Sequence, residues 1–438
     1  MRFALRLLCC MLPFAAAVAE TATKLPGVYQ SLVDLARGAP PEFTADALLR
    51  IAEQGRTLDK AARHDLIEEA FRSAASAKFP VRMQGVQGTT TDTASGSLSR
   101  AYALKLDALS LQSRAVRDML PLDAAFARRL FTEITRPTLT ALTCDDALYY
   151  DLSEFYQALG AVVNAAFTPK ERAKEEHLNF LSDYLGQATS PLELAPLSQV
   201  IASVSATAPQ RQGLWARLAG LLESMQMDDR ASSAALPALN SLNVPELEPS
   251  LEKYRQRSHG CDADGSNAPV GPAKDASKKP NSPKLDSYWQ SANSQQLLAP
   301  GKKLRFDKNN TPLSEADRAT PAYQQQVTDY LNQLTGWTAD QEHTESDYYH
   351  EKATVLLSLI ELVPAGPESD SILADYLSFI SSSNLYQQSP VEWYLEPQTL
   401  LERFRPGTPM RSKLLDAFQT SGNPVLGLIA TLEKATKK

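Results

Sequence analysis

Only five histidines occur among 438 residues, so the place where two fall close together is the first to weigh for chemistry. His343 and His350 flank Glu345 and Asp347, and Glu351 follows. On a helix this spacing puts both imidazoles on one face, two turns apart. That is too far for one zinc ion, whose ligands sit about 2.0–2.2 Å from the metal. His350-Glu351 also lacks the second histidine of a zincin motif. The expected helix begins near Ser346, leaving His343 in the loop before it. Acids are favoured at the positive end of a helix dipole, so the cluster reads as a solvated acidic helix start.

The other chemical motifs are weaker. Cys261-Asp262-Ala263-Asp264-Gly265-Ser266-Asn267 looks like half a calcium loop. Counted from Asp262, Asn267 stands where an EF-hand needs glycine and Ala273 where it needs glutamate. Asn309-Asn310-Thr311 is a glycosylation sequon, uninformative behind a bacterial-type export signal. There is no Gly-x-Ser-x-Gly elbow, Walker loop or Rossmann glycine fingerprint. Acid pairs such as Asp145-Asp146 and Glu175-Glu176 read as solvated helix faces. No cofactor and no metal are expected. The enzyme class kept open is a glycosidase on a helical barrel, whose inverting form needs two carboxyls about 6.5–9.5 Å apart in a cleft.

The aromatic residues can be read in two ways. Tyr149, Tyr150, Phe155 and Tyr156 are expected to crowd one helix. Tyr348, Tyr349, Trp337, Trp393 and Tyr394 crowd a later stretch. They are either core packing or anchors on a concave binding surface. Tyr149, Tyr150, Tyr348, Tyr349 and Trp393 are the candidates for the second role.

Compartment follows from the N-terminus. Arg2 and Arg6 precede an apolar run, Leu7 to Val18, and Ala17-Val18-Ala19 gives a small-x-small cleavage site before Glu20. Residues 1–19 are therefore expected to be a signal peptide of an exported, periplasmic or extracellular protein. Cys9 and Cys10 sit too early, behind Leu7 and Leu8, for a lipidation site. Cleavage removes two arginines and no acid, moving the net charge from −7 to −9. That charge argues against nucleic acid and against a polybasic lipid anchor. No later segment is apolar enough to span a bilayer. Cys144 and Cys261 survive cleavage, and in an oxidising compartment they are expected to pair.

These residues must be positioned by helices. Apolar residues recur at three- and four-residue spacing, as in Ala47, Leu48, Ile51 and Ala52, or Leu66, Ile67, Ala70 and Phe71. Proline-led starts followed by an acid recur as well. The fold class predicted is all-α, with about fifteen helices of ordinary globular length. Residues 85–97 read as a surface loop. Residues 258–283 contain no Leu, Ile, Met, Phe, Tyr or Trp, so they are expected to form a flexible linker. It would join an N-terminal domain, 20–257, to a C-terminal domain, 284–438.

An internal duplication is also expected. Tyr149-Tyr150 matches Tyr348-Tyr349. Pro169 lies near Pro367 in register, Ser190-Pro191-Leu192-Glu193 matches Ser389-Pro390-Val391-Glu392, and Pro209-x-Arg211 matches Pro409-x-Arg411. Residues 145–225 and 344–425 would then be two copies of a four-helix unit, stacked as antiparallel pairs in an α-α array. Each copy would open on its tyrosine pair.

Tyr288-Trp289-Gln290-Ser291, Lys303-Leu304-Arg305-Phe306 and Ser389 to Trp393 resemble segments of uncharacterised exported helical proteins of soil bacteria, Acidobacteria among them. The resemblance covers the last part of the chain. It implies export and a helical fold and attaches no activity. The expectation from sequence is a non-enzymatic binding or scaffold protein whose partner is a protein or a cell-envelope component. A glycan-acting hydrolase is the alternative.

Overall fold

A computed structural model describes residues 25, 27–55, 57–86, 94–258, 261, 301, 303–339, 344–363 and 366–435. The expected signal peptide, nearly all of the expected linker, His343 and Tyr288–Ser291 lie outside the described residues. The all-α expectation holds. Among the described residues there are 21 α-helices and one two-stranded ribbon. The count exceeds the expected fifteen, and three of the 21 are single turns of four or five residues.

The first stretch carries α1 (Gly27–Arg37), α2 (Pro41–Gln54), α3 (Lys60–Ala74), β1 (Met83–Gly85), α4 (Ala94–Ala103), α5 (Ala108–Met119) and α6 (Ala124–Glu133). The middle carries β2 (Leu148–Tyr150), α7 (Ser153–Ala165), α8 (Pro169–Ala173), α9 (Glu176–Gly186), α10 (Leu194–Ser203), α11 (Ala208–Ser224), α12 (Asp229–Asn240) and α13 (Glu248–Arg257). The last stretch carries α14 (Glu315–Arg318), α15 (Pro321–Thr335), α16 (Glu345–Leu362), α17 (Pro367–Ser382), α18 (Leu385–Gln388), α19 (Pro390–Arg403), α20 (Pro409–Thr420) and α21 (Pro424–Ala435).

Two expectations are corrected at the ribbon. Tyr149 and Tyr150 lie in β2, antiparallel to β1 and opposite Gln84 and Met83; they do not lead a helix. Alternation of faces along a strand lets each find its own partner. The Tyr149 hydroxyl donates to Gln84 Oε1 at 2.8 Å, and the Tyr150 hydroxyl meets Thr140 Oγ1 at 2.7 Å. The expected loop 85–97 is likewise shorter than predicted. Gly85 belongs to β1, while Ala94–Ser97 opens α4 with Ser97 fully buried.

Helix corners are built by a recurring device. An oxygen-bearing cap starts the helix, and an arginine in its first turn folds back onto the last carbonyls of the helix before. Asp59 caps α3, and Arg63 Nε donates to Ala52 O at 2.9 Å. Thr168 caps α8, and Arg172 donates to Val163 O at 3.1 Å and to Asn164 O. Arg211 reaches Val204 O at 3.1 Å. Thr408 caps α20, and Arg411 donates to Phe404 O at 3.0 Å and to Leu401 O. Each corner satisfies orphan groups at the end of one helix and the start of the next.

The N- and C-terminal stretches share one hydrophobic core. The first and last described helices pack together, α21 lying against α1 and α2, and α19 packs on α4. Phe43 of α2 meets Tyr394 of α19 edge to face, ring centroids 5.3 Å apart. Cys144 and Cys261 come together as a disulfide pair, their Cα atoms 5.3 Å apart, within the range such a bond requires. They tie the turn before β2 to the chain just past α13. Arg230 of α12 supports that turn by donating to the Cys144 carbonyl.

Candidate functional site

Two basic side chains of α16 are buried beside one another on the helix, His350 and Lys352. Thr344 and Asp347 start α16 with a reciprocal capping box. From there the helix turns Tyr349 and His350 into the core, and Tyr348 and Lys352 toward the segment that follows α15.

His350 is held by α19. Its Nδ1 lies 2.7 Å from Glu396 Oε1, and its Nε2 lies 3.5 Å from Glu392 Oε1. The two glutamates are one turn apart on α19, and the Ser346 hydroxyl also bonds Glu392. Burial pushes the imidazole down, but its bonds and charge attraction to Glu392 and Glu396 outweigh that and raise its pKa. Burial pushes Glu392 up, and hydrogen bonds from His350 and Ser346 bring it below the ordinary value. The neighbours close the network with backbone contacts. Tyr349 donates to Trp393 O at 2.7 Å, Tyr376 to Glu396 O at 3.2 Å, and Trp393 Nε1 to Ile380 O at 2.7 Å.

Lys352 is held differently. Its ammonium donates to Trp337 O at 2.7 Å and to the Tyr348 hydroxyl at 3.1 Å. It also lies 5.5 Å and 5.0 Å from the ring centroids of Tyr348 and Phe379, within cation–π range. All these partners are neutral. Burial pushes the ammonium down to about 8, and the charge of Asp375 only partly opposes it. Burial, with a contribution from Glu345, pushes the Tyr348 phenol up to about 12. Tyr348 therefore stays protonated, donates to Trp337 O at 2.6 Å and accepts from Lys352.

Lys352 lines a cleft of about 420 Å³ between α15, α16 and α17. Trp337, Tyr348 and Phe379 supply its aromatic wall, and Glu345, Asp375 and Ser382 stand on the polar side. Trp337 and Phe379 each meet Tyr348 edge to face, at 5.5 and 5.8 Å. This is a concave, mixed site containing a titratable group shifted toward neutrality, the profile of a binding or catalytic locus.

A second cleft, of about 270 Å³, lies in the N-terminal stretch around Arg136, Tyr156 and Glu193. Its polar groups are already consumed. Glu193 accepts from Arg136, from Tyr156 and from the Thr189 and Ser190 amides.

The sequence-predicted residues therefore separate. Tyr349 and Trp393 are fully buried and serve as core, correcting the expectation that they anchor a surface. Tyr149 and Tyr150 are half-buried in the ribbon. Of the five, Tyr348 alone lines the Lys352 cleft. Lys352 itself was missed. The signal was legible as a lysine on an apolar helical stripe, four residues after Tyr348 and four before Leu356. Among the described residues no cluster of three His, Cys, Asp or Glu is arranged to hold a metal. No described helix is long and apolar enough to cross a membrane.

No family model matches the chain, and no curated protein and no solved structure matches it. What the clefts do must therefore be argued from their own geometry.

Proposed function

We propose that the protein is an exported binding or scaffold protein that takes its ligand in the Lys352 cleft. The observation that carries this is a buried ammonium whose direct hydrogen-bond partners among the described residues are neutral, placed in a cleft with an aromatic wall. Burying a charge without a counter-charge is costly, and a site that bears that cost in the free protein is set up for a ligand that offsets it. A protein or cell-envelope component remains the expected source of the ligand.

The hydrolase alternative is less well supported. A glycosidase needs one carboxylic acid held protonated beside its substrate. Glu42, Asp107 and Asp118 are pushed upward. Burial raises all three, and nearby Glu53 helps bring Asp118 to about 7. None of them lines the Lys352 cleft or the Arg136 cleft. Incubation with a panel of soluble polysaccharides should release no reducing ends. Steady release that disappears in Asp375→Asn would replace the binding reading.

Export has its own test. Intact mass of the secreted chain should start at Glu20, and thiol titration of the denatured, unreduced chain should find no free thiol. The pair encloses a sequence separation of 117 residues. Two free thiols per chain would remove the disulfide and the support it gives to export.

A further inference from the structure

If the Lys352 cleft binds a ligand, as proposed above, its pattern of charges specifies the class of that ligand. A lysine ammonium has three donors. At Lys352 two are used, by Trp337 O and the Tyr348 hydroxyl. Some other lysines sit against carboxylates, Lys105 on Glu154 at 2.6 Å and Lys434 on Asp416 at 2.7 Å. Lys352 has no such partner among the described residues, although it is only 6% exposed. The cleft therefore presents a cation with no direct carboxylate contact among the described residues, only the more distant charge of Asp375.

The same cleft also presents acids without a direct ion pair. Asp375 and Glu345 line it, and neither forms an ion pair among the described residues. Glu345 accepts from the Ser383 hydroxyl, at 3.5 Å. An anionic ligand alone would satisfy Lys352 and be repelled by the two acids. A cationic ligand alone would do the reverse. A ligand carrying both charges a few bonds apart meets both requirements. The wall of Trp337, Phe379 and Leu356 adds a place for an apolar side chain, and about 420 Å³ falls within the usual range for small-molecule sites.

We infer that the cleft binds a small zwitterion of the amino-acid class, its carboxylate on Lys352 and its ammonium toward Asp375 and Glu345. The ligand is a free α-amino acid or a short peptide with both termini free. The apolar wall favours a large apolar or aromatic side chain.

Calorimetric titration of the full mature chain tests this with four probes. L-phenylalanine and L-alanyl-L-phenylalanine carry both charges. L-phenylalanine amide lacks the carboxylate, and N-acetyl-L-phenylalanine lacks the ammonium. At least one of the first two should bind, and whichever binds tighter identifies the source as amino acid or peptide. Each blocked compound should bind at least about tenfold more weakly, since charge-assisted hydrogen bonds are the strong ones. Lys352→Met should weaken binding by at least about tenfold, and Asp375→Asn by about threefold to tenfold. Asp375 lies toward the surface, so its variant reports even if Lys352→Met folds poorly, and the blocked probes need no variant at all.

Failure of both zwitterions to bind, equal binding of the amide, or undiminished binding by Lys352→Met would each overturn the inference. Polysaccharide hydrolysis would overturn the binding reading instead. A chain that neither hydrolyses glycans nor binds either zwitterion defeats this inference alone.

Discussion

His350 and Lys352 stand two residues apart on one helix, both buried, both basic, and the protein treats them in opposite ways. His350, 1% exposed, receives two glutamates from α19. Lys352, 6% exposed, receives a carbonyl, a hydroxyl and two ring faces. Burial disfavours the charged form in both. At His350 the glutamates reverse that effect, and at Lys352 nothing does so fully. The difference teaches that depth alone does not assign a role. A buried base whose counter-charge is built in belongs to the fold, and one whose counter-charge is lacking is open to whatever arrives.

The largest expected effect breaks the compensated side. His350→Ala leaves Glu392 and Glu396 buried without their cation, and losing one partner of such a network costs about 3–5 kcal/mol. Urea denaturation should show the loss as a lower midpoint with an unchanged slope. The pH dependence has a definite sign. His350 is raised, so its contribution is full below its ordinary pKa of 6.5 and is lost as pH rises through the folded value. Glu392 is lowered, so its contribution is present above 4.5 and is lost as pH falls through its folded value. The network should therefore contribute most between those two limits, and His350→Ala should flatten that profile. A variant as stable as the wild type would place His350 with Lys352 and erase the contrast.

A smaller effect, of opposite sign, is expected on the other side. Lys352→Met keeps the length and apolar stem but removes the uncompensated charge. Trp337 O still accepts from Tyr348, so no buried acceptor is orphaned. The variant should be more stable by roughly 1 kcal/mol near pH 6–7, as expected where a site trades stability for function. In the wild type, the unfolded lysine titrates near 10.5 and the folded one near 8. The unfolded chain therefore binds more protons between those values, and stability should rise with pH across that window. Destabilisation by Lys352→Met, measured in the same urea titrations, would make Lys352 a structural group.

The sequence made one side of this contrast far more visible than the other. His350 was singled out because histidine is rare and acids surround it, yet the two glutamates that hold it lie 42 and 46 positions away and carry no local signature. Lys352 drew no attention because lysine is common, and only a fold that brings Trp337 and Phe379 onto it makes it unusual. The helices themselves were legible from apolar spacing and proline-led starts, and Cys144 found Cys261 as compartment reasoning expects. The proposed duplication rests on landmarks that the fold uses more widely. Pro191 and Pro390 both open helical segments, and Arg211 and Arg411 both fold back on the preceding helix. Arg63 and Arg172 do the same outside those landmark positions, so the corner is a general way to end one helix and begin the next. Tyr149-Tyr150 failed as a helix start because paired aromatics suit a strand as well as a helix, and only the pairing with Met83–Gly85 decides.

The smallest expected effect falls on Asp375, and it sharpens the contrast more finely than either buried residue can. Its charge raises the Lys352 pKa, and burial overrides it. Asp375→Asn should therefore drive that pKa lower still, whereas Glu396→Gln should drive His350 lower by a much larger step, because it removes a direct 2.7 Å contact. Asp375 makes no direct ion pair with Lys352 and is half-exposed, so its removal should cost stability by less than about 1 kcal/mol, the range of weakly coupled surface charges. Chemical-shift titration of the two side chains, His350 ring carbons and the Lys352 ε-carbon, reads both shifts without reference to stability. If Asp375→Asn shifted Lys352 as strongly as Glu396→Gln shifts His350, Asp375 would be a true counter-ion and the two sites would be of one kind. A small downward shift at Lys352 beside a large one at His350 is what a built-in counter-charge and a vacant one require.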